Sequence, residues 1–468
     1  MKKYIKYIII TFLAICAFFS CKDDDFSTNP AHKLAFSTDT LSFDTIFTSV
    51  GSATGVFMIY NRNDKPLMIS QIKLSGNENS LFRINVDGHA DFHHNNVEIR
   101  AKDSLYVFVE VTVNPKNENL PFLVEDSILF YTNTNRQQVK LIAYGQDAVF
   151  FRNKTFENDT TLYNEKPYLI YGDLTVNNLT IEQGCRLHFH DKASLIVKGN
   201  LTINGTQDSL VILRGDRLDN WNGKQKYDNL PGQWSGIVLT CENATHNIQY
   251  ANIRNGKTAI KIEKAKLTIE NSLIHNFDSC VVNAKEAEIF IGNSLIANCK
   301  THCLNILGGK INVKQTTIGN HYSNSSVNGS SHSHTAASVR LSNFSGETDE
   351  FPLEQANFTN TIIYGVAADE ISLNKKENSQ TTFEYLFENC LLKTKEKTED
   401  AHFKDIIWNK DPKFISTKSP YNFELQSESP AIDILETSDY PFDLNGVSRL
   451  TDGKPDLGAY EFFEKPEE

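Results

Sequence analysis

The 468-residue chain is predicted to be all-β, a β-sandwich followed by a parallel-stranded solenoid. Three observations carry this. No long stretch shows a sustained 3.6-residue apolar period, whereas short runs of alternating apolar residues recur. From His246 to Asn320 the chain repeats at a step of 21 or 22 residues, with Ile253, Ile274, Ile296 and Ile318 equivalent. Around each of these isoleucines stand the same marks. Ile248, Ile269, Ile291 and Val313 lie five before, Ala251, Ser272, Ser294 and Thr316 two before, and Asn255, Asn276, Asn298 and Asn320 two after. A fixed period of this length marks a solenoid, in which each repeat buries its apolar face only against its neighbours.

The elements follow in order. In residues 1–20, Lys2, Lys3 and Lys6 precede an apolar run from Tyr7 to Phe19. A basic start and a short apolar run read as a secretory signal, too short for a bilayer span of roughly 20 residues. Phe18, Phe19, Ser20 and Cys21 resemble a bacterial lipoprotein signal, with Phe18 in place of the usual Leu. Lys22, Asp23, Asp24 and Asp25 resemble the tag that sends some Gram-negative lipoproteins to the outer face of the outer membrane. The resemblance implies a lipid anchor at Cys21, the outer membrane as partner, and a protein facing the cell exterior. Residues 21–33 are polar and aperiodic, and read as a flexible tether.

Residues 34–147 carry alternating runs, among them 55–60, 66–72, 104–113, 126–131 and 139–144, divided by turn residues. Strands at this spacing predict a β-sandwich. The phrases at 59–74, 82–86, 109–115, 126–133 and 139–145 resemble immunoglobulin-like domains of the abnormal-spindle and hydin type, which implies a spacer or binding module. His89, Asp91, His93 and His94 have metal-ligand chemistry, but they fall in an expected inter-strand loop, and solvated histidines are the simpler reading.

Residues 148–163 read as a connector, and 164–410 as the solenoid. His188 and His190 alternate with Leu187 and Phe189, which places the histidines outward. The loop 214–233 holds Asp216, Arg217, Asp219 and Asp228, and Trp234 is expected to pack it back onto the coil. Within the repeats, the chain turns a corner between the positions five and two before each isoleucine. The Asn row two after is expected to pass hydrogen bonds from amide to amide. Cys280 is expected to stack with Ala259 and Cys303 as small core residues. The other cysteines beyond the signal (Cys185, Cys241, Cys299 and Cys390) match no zinc spacing and read as free thiols, although export permits pairing.

The period breaks at the polar insertion 321–352. His321, His332, His334 and Arg340 there are the candidate ligand contacts. The tail 411–468 contains Asp411, Pro412, Phe414, the run Ser429 to Asp433, Asp443, Gly446, Arg449 and the run Asp456 to Glu461. These residues resemble the C-terminal segment of secreted right-handed parallel β-helix proteins of the pectin-lyase-like group, surface lipoproteins of Gram-negative bacteria among them. The resemblance implies a right-handed parallel β-helix closed by a C-terminal cap, with Asp433, Asp443, Arg449 and Asp456 as turn and cap residues.

The net charge of −12, with no basic stripe, excludes a nucleic-acid partner. No lyase or hydrolase motif is present, so no catalytic residue, cofactor or metal is assigned. Asp followed by Ser or Thr and a small or apolar residue, as at Thr40, Thr45, Ser104, Ser127, Thr160 and Ser209, resembles an O-glycosylation pattern of some Gram-negative bacteria. The reading is a lipid-anchored cell-surface protein whose β-helix is a binding or structural module toward glycans. The alternative is a polysaccharide lyase or glycoside hydrolase, with a cleft along the helix.

Overall fold

The structure, a computed structural model, describes residues 25–221, 225–325, 331–334, 336–395 and 400–464. It divides into two compact units, residues 1–147 and 148–468.

The first unit is a β-sandwich. Strands β1 (Ala35–Phe36), β2 (Thr40–Phe47), β3 (Gly55–Tyr60), β4 (Leu67–Leu74), β5 (Phe82–Val86), β6 (His89–Asp91), β7 (His93–Ile99), β8 (Ser104–Val111), β9 (Phe122–Thr132) and β10 (Asn135–Gln146) form it. They make two five-stranded sheets, in the orders β1-β3-β8-β5-β6 and β2-β10-β9-β4-β7. Alternation supplies the core: Phe57, Ile59, Phe82, Ile84, Val107 and Val109 from one sheet meet Ile69, Ile72, Ile128, Phe130, Val139 and Leu141 from the other. Two expectations change here. His89, Asp91, His93 and His94 stand on strands β6 and β7 of different sheets, and among the described residues no cluster of three or more His, Cys, Asp and Glu could hold a metal. The segment 25–33, expected to be a flexible tether, is tied down: Ser27 N–H donates to Pro66 O, and the Asn133 amide donates to Asn29 O and His32 O.

The second unit is a parallel β-helix built on one sheet of 24 strands among the described residues. Each coil contributes to three faces. The first face holds Arg186–Phe189, Val211–Gly215, Ala251–Arg254, Leu273–Phe277, Leu295–Cys299, Thr317–Asn320 and Ile362–Gly365. The second holds Ser194–Val197, Gly236–Leu239, Ile260–Glu263, Val339–Ser342 and Ile371–Asn374. The third holds Leu201–Asn204, Thr245–Gln249, Lys266–Glu270 and Leu353–Thr359. The repeat read from the sequence is the register itself: Ile253, Ile274, Ile296, Ile318 and Ile363 are successive partners, and so are Ile248, Ile269, Ile291, Val313 and Phe358. All are fully buried, because each coil is covered above and below.

The corners show why asparagine recurs. Asn255, Asn276 and Asn298 have φ of 68°, 68° and 50°, and Asn271, Asn293 and Asn360 have 50°, 43° and 55°. This left-handed conformation excludes most side chains and tolerates Asn. The expected amide ladder two after the isoleucines does not form. It forms at the other corner, where Asn293 Nδ2 donates to Asn271 Oδ1 at 2.7 Å. Beside it the Ser294 and Ser272 hydroxyls accept from the backbone N–H of the preceding coil, Ser272 and Ala251, at 3.1 Å each. Val281, not Cys280, falls in the ladder with Ala259, since Val282 pairs with Ile260 and Leu304.

The stretch 148–163, expected to be a connector, is already a coil. Val149–Phe156 and Thr160–Leu162 pair in parallel with Tyr168–Val176 and Leu179–Glu182. The tail caps the helix laterally. Phe414, Phe423, Leu425, Ala431, Leu457 and Ala459 cover the outward apolar side chains of the first face, Leu295, Ala297, Ile362 and Leu391. Arg449 locks it, donating to Glu461 Oε2 at 3.2 Å, Asn293 Oδ1 at 2.7 Å and Gly458 O at 3.1 Å.

Candidate functional site

Of the expected ligand contacts, His321, His334 and Arg340 each have partners of their own. His334 is buried, with Nδ1 3.0 Å from the Asn320 amide nitrogen and Nε2 3.3 Å from Glu370 Oε2. An amide nitrogen donates, so Nδ1 accepts and Nε2–H donates to Glu370. Glu370, itself fully buried, also accepts from Ser338 N–H, the Ser338 hydroxyl and Ala367 N–H. This enclosed network stitches the insertion to the coil. His321 is half-buried against Tyr364, Phe414 and Phe423, and burial pushes its pKa down to about 4. Arg340 stands on the second face and donates to Asn305 Oδ1 at 3.3 Å. His332 lies in a short hairpin strand, Ser331–Ser333, and its side chain is outside what the structure describes. Cys21 lies outside the described residues.

The side chains that do come together lie at the edge of the first face, in the first four coils. Arg152 pairs in register with Tyr171. His190 and Asp216 follow directly on Phe189 and Gly215, which are register partners. Four successive coils thus place Arg152, Tyr171, His190 and Asp216 in one row, at the strand spacing of about 4.8 Å. Each touches the next. The Arg152 guanidinium lies 4.9 Å from the Tyr171 ring centre. The Tyr171 and His190 rings stack with centroids 4.4 Å apart and 22° between planes. His190 Nδ1 is 2.7 Å from Asp216 Oδ2. The His190 side chain is 47% exposed and that of Asp216 12%.

The insertion after Asp216 builds the floor beside this row. Arg217 lies over the Tyr227 ring at 4.1 Å and makes two bonds of 2.6 Å to Asp219. Asp228 reaches under the loop to Arg254 Nε at 2.8 Å and Arg214 Nη1 at 3.2 Å. Asn255 Nδ2 donates to Asp228 O and Leu230 O, so the left-handed corner residue also holds the loop. Trp234 stacks on Phe189 with centroids 4.3 Å apart, as expected for the residue that returns the chain to the coil. His188 departs from the expectation of an outward, exposed residue. It points away from the core, as period two requires, yet it is buried beside Arg214.

The electrostatics follow from that cover. Burial, helped by Arg214 and Arg186, drives the His188 pKa down to about 3 and leaves the ring neutral. Burial works against the charge of Asp228, but the bond and charge of Arg254, with the charge of Arg214, hold the carboxyl below its ordinary value. Burial raises Asp216 above the usual carboxylate range despite the bond from His190. Burial and the nearby Asp216 also raise Tyr171, so its hydroxyl keeps its proton at neutral pH. A carboxylate bonded to one imidazole nitrogen orients the ring and leaves the other nitrogen for proton transfer. A cavity of about 560 Å³ in the sandwich has no such chemistry: its Asp126 is already bonded to Gly76 N–H, Ser127 N–H and the Ser80 hydroxyl.

With 148–163 taken as a connector, Arg152 has no coil and the row stays hidden in the sequence. The signal was the 19-residue step from Arg152 to Tyr171 and from Tyr171 to His190.

No protein-family model matches the chain, and no curated protein matches it. Among solved structures it is similar to a family 123 glycoside hydrolase from Clostridium perfringens, at 8% identity over 26% of this chain and 30% of that one, with a TM-score of 0.19. It is also similar to the ASH/PapD-like domain 7 of human CEP192, at 10% identity over 27% of this chain and 92% of that one, with a TM-score of 0.17. The periplasmic chaperone SfaE matches at 10% identity over 24% and 58%, with a TM-score of 0.16. The chain thus spans under a third of the hydrolase's length, and scores this low carry no argument about what it does.

Proposed function

We propose that this is a lipid-anchored protein of the outer membrane, facing the cell exterior, whose β-helix binds a glycan along the row of Arg152, Tyr171, His190 and Asp216. The observation that carries the reading is the row itself. Two stacked planar rings, with a cation on one side and a carboxylate on the other, follow one another at strand spacing along the helix axis, which suits an extended chain of polar, ring-shaped units. The signal and acidic tag around Cys21 support the location. Binding is tested with the detergent-solubilised full chain against uronate-containing and neutral polysaccharides by calorimetry. Tyr171→Ala and Arg152→Ala are each expected to weaken binding about tenfold, the loss of a contact near 1.4 kcal/mol. Failure to bind any glycan, or binding untouched by both substitutions, contradicts the proposal. Location is tested separately: protease on intact cells should shave the protein, and Cys21→Ala should release it from the membrane fraction.

The second reading, a polysaccharide lyase or glycoside hydrolase, is favoured by one feature, the His190–Asp216 pair.

A further inference from the structure

We infer that Cys299 and Cys303 are a modification site, where exchange with an oxidising disulfide outside the cytoplasm joins the two residues. The inference takes only the exported location from the reading above, and adds which of the six described cysteines pair. The sulfur contacts decide between them. Cys299 Sγ and Cys303 Sγ lie 3.7 Å apart. The other four thiols have carbonyl partners: Cys185 has Leu162 O at 3.3 Å, Cys241 has Glu242 O at 3.4 Å, Cys280 has Val282 O at 3.3 Å and Cys390 has Glu388 O at 3.3 Å. Among the described residues no other two sulfurs lie within bonding reach of each other. One coil earlier the same two places hold Phe277 and Val281, so filling the core does not by itself ask for thiols there. The backbone at both ends of the corner is fixed. Cys299 N–H donates to Asn320 Oδ1 at 3.2 Å, and Cys303 O accepts from Val282 N–H at 2.9 Å. A disulfide sets its sulfurs about 2.05 Å apart, which leaves about 1.7 Å for the side chains to close.

The oxidant is a second disulfide, and the exchange balances. The thiolate of one cysteine attacks a sulfur of that disulfide, whose other sulfur leaves as a thiolate. The thiolate of the second cysteine then displaces the oxidant from the mixed disulfide. One S–S bond forms and one breaks. Two electrons pass to the oxidant, which takes up the two thiol protons and ends as dithiol. The order of events follows from burial. Both side chains are wholly buried, and burial pushes the Cys299 thiol well above its ordinary value. The thiolate is the reactive form, so the bond is made before the next coil covers the corner and is shielded afterwards. The link then braces the place where the insertion starts. Asn320 donates to Cys299 O at 3.0 Å and to Cys299 Sγ at 3.6 Å, and its amide nitrogen lies 3.0 Å from His334 Nδ1.

The test uses the full chain produced in a Gram-negative host and taken up in detergent from the membrane fraction. Free thiols are alkylated in denaturant and the chain is cut with trypsin. Cleavage after Lys300 separates the two cysteines, so the link is read by mass spectrometry as peptide 286–300 joined to peptide 301–310. That joined pair is expected, with Cys185, Cys241, Cys280 and Cys390 alkylated. Cys280 feels the charge of Cys299 and is the nearest competitor, so Cys280→Ala should leave the pair joined. Dithiothreitol should open the link about tenfold or more slowly in the native chain than in denaturant, since exchange needs access to a sulfur. Alkylation of both Cys299 and Cys303 in exported protein overturns the inference. So does a link from either to another cysteine, or opening as fast in the native chain as in denaturant. Protease on intact cells reports export separately. If it shows none, the location proposal falls, and the full chain refolded in a glutathione redox buffer carries the test. The same joined peptides then support the pairing, and their absence overturns it.

Discussion

Arg449→Met isolates the lock that holds the tail on the coils. The guanidinium is 1% exposed, and methionine keeps much of its apolar bulk, so the loss is mainly polar. Asn293 Oδ1 loses its Arg449 donor, at about 1 kcal/mol or more, and Gly458 O loses one of two, keeping Gln315 Nε2 at 3.2 Å. Glu461, with its side chain wholly buried, loses its counter-charge, and breaking such a pair costs roughly 3–5 kcal/mol. That second cost depends on pH. Burial and neighbouring Asp456 push Glu461 up to about 8, above its ordinary 4.5, against the pull of Arg449. A carboxyl whose folded pKa is raised destabilises nothing below its unfolded value, and the cost enters as pH rises through the folded value. At pH 6 the variant should therefore lose about 2 kcal/mol of tail stability, and at pH 9 up to about 1.4 kcal/mol more, because a carboxyl with a folded value near 8 stays protonated at about 1.36 kcal/mol per pH unit above it. Native-state hydrogen exchange across residues 429–462 reads this directly. At pH 6, exchange should quicken about 30-fold or more, since each 1.36 kcal/mol is a factor of ten. Adding Glu461→Gln to Arg449→Met should flatten the pH dependence. Exchange changed less than about fivefold at both pH values, or a double variant as pH-sensitive as the single one, would refute the reasoning.

Other outcomes follow from the same structure. His321, held neutral against Phe414 and Phe423 with its pKa pushed down to about 4, should loosen the tail in acid. Its folded pKa is depressed, so that stability is present above about 6.5 and lost as pH falls through about 4. Exchange around residues 414–425 should rise below pH 5, and His321→Leu should remove the rise. Ile296→Ala empties a fully buried ladder position and should cost about 2–5 kcal/mol in urea unfolding. Asn298 has φ of 50° and accepts from His321 N–H. Asn298→Val should therefore lower the thermal midpoint well beyond Asn298→Gly, by the roughly 1–2 kcal/mol of left-handed strain.

What the sequence determined by itself is the solenoid and its register. Each coil buries its residues only against the coils beside it, so Ile253, Ile274, Ile296 and Ile318 had to recur at one step to meet in one ladder. The asparagine rows were legible too, although their cause was not: a left-handed φ at the corner selects Asn, and the amide relay forms only at one of the two corners. The tertiary structure decided the rest, because the rest depends on what covers the coils. Period two placed His188 outward correctly, and packing beside Arg214 of the next coil buried it. The apolar residues on the outside of the first face had no visible purpose until the tail lay across them. The row of Arg152, Tyr171, His190 and Asp216 has no motif, since its steps of 19, 19 and 26 residues change as the coils change length. Parallel pairing aligns strands by hydrogen-bond register rather than by residue count, so only the folded sheet brings those four side chains into contact.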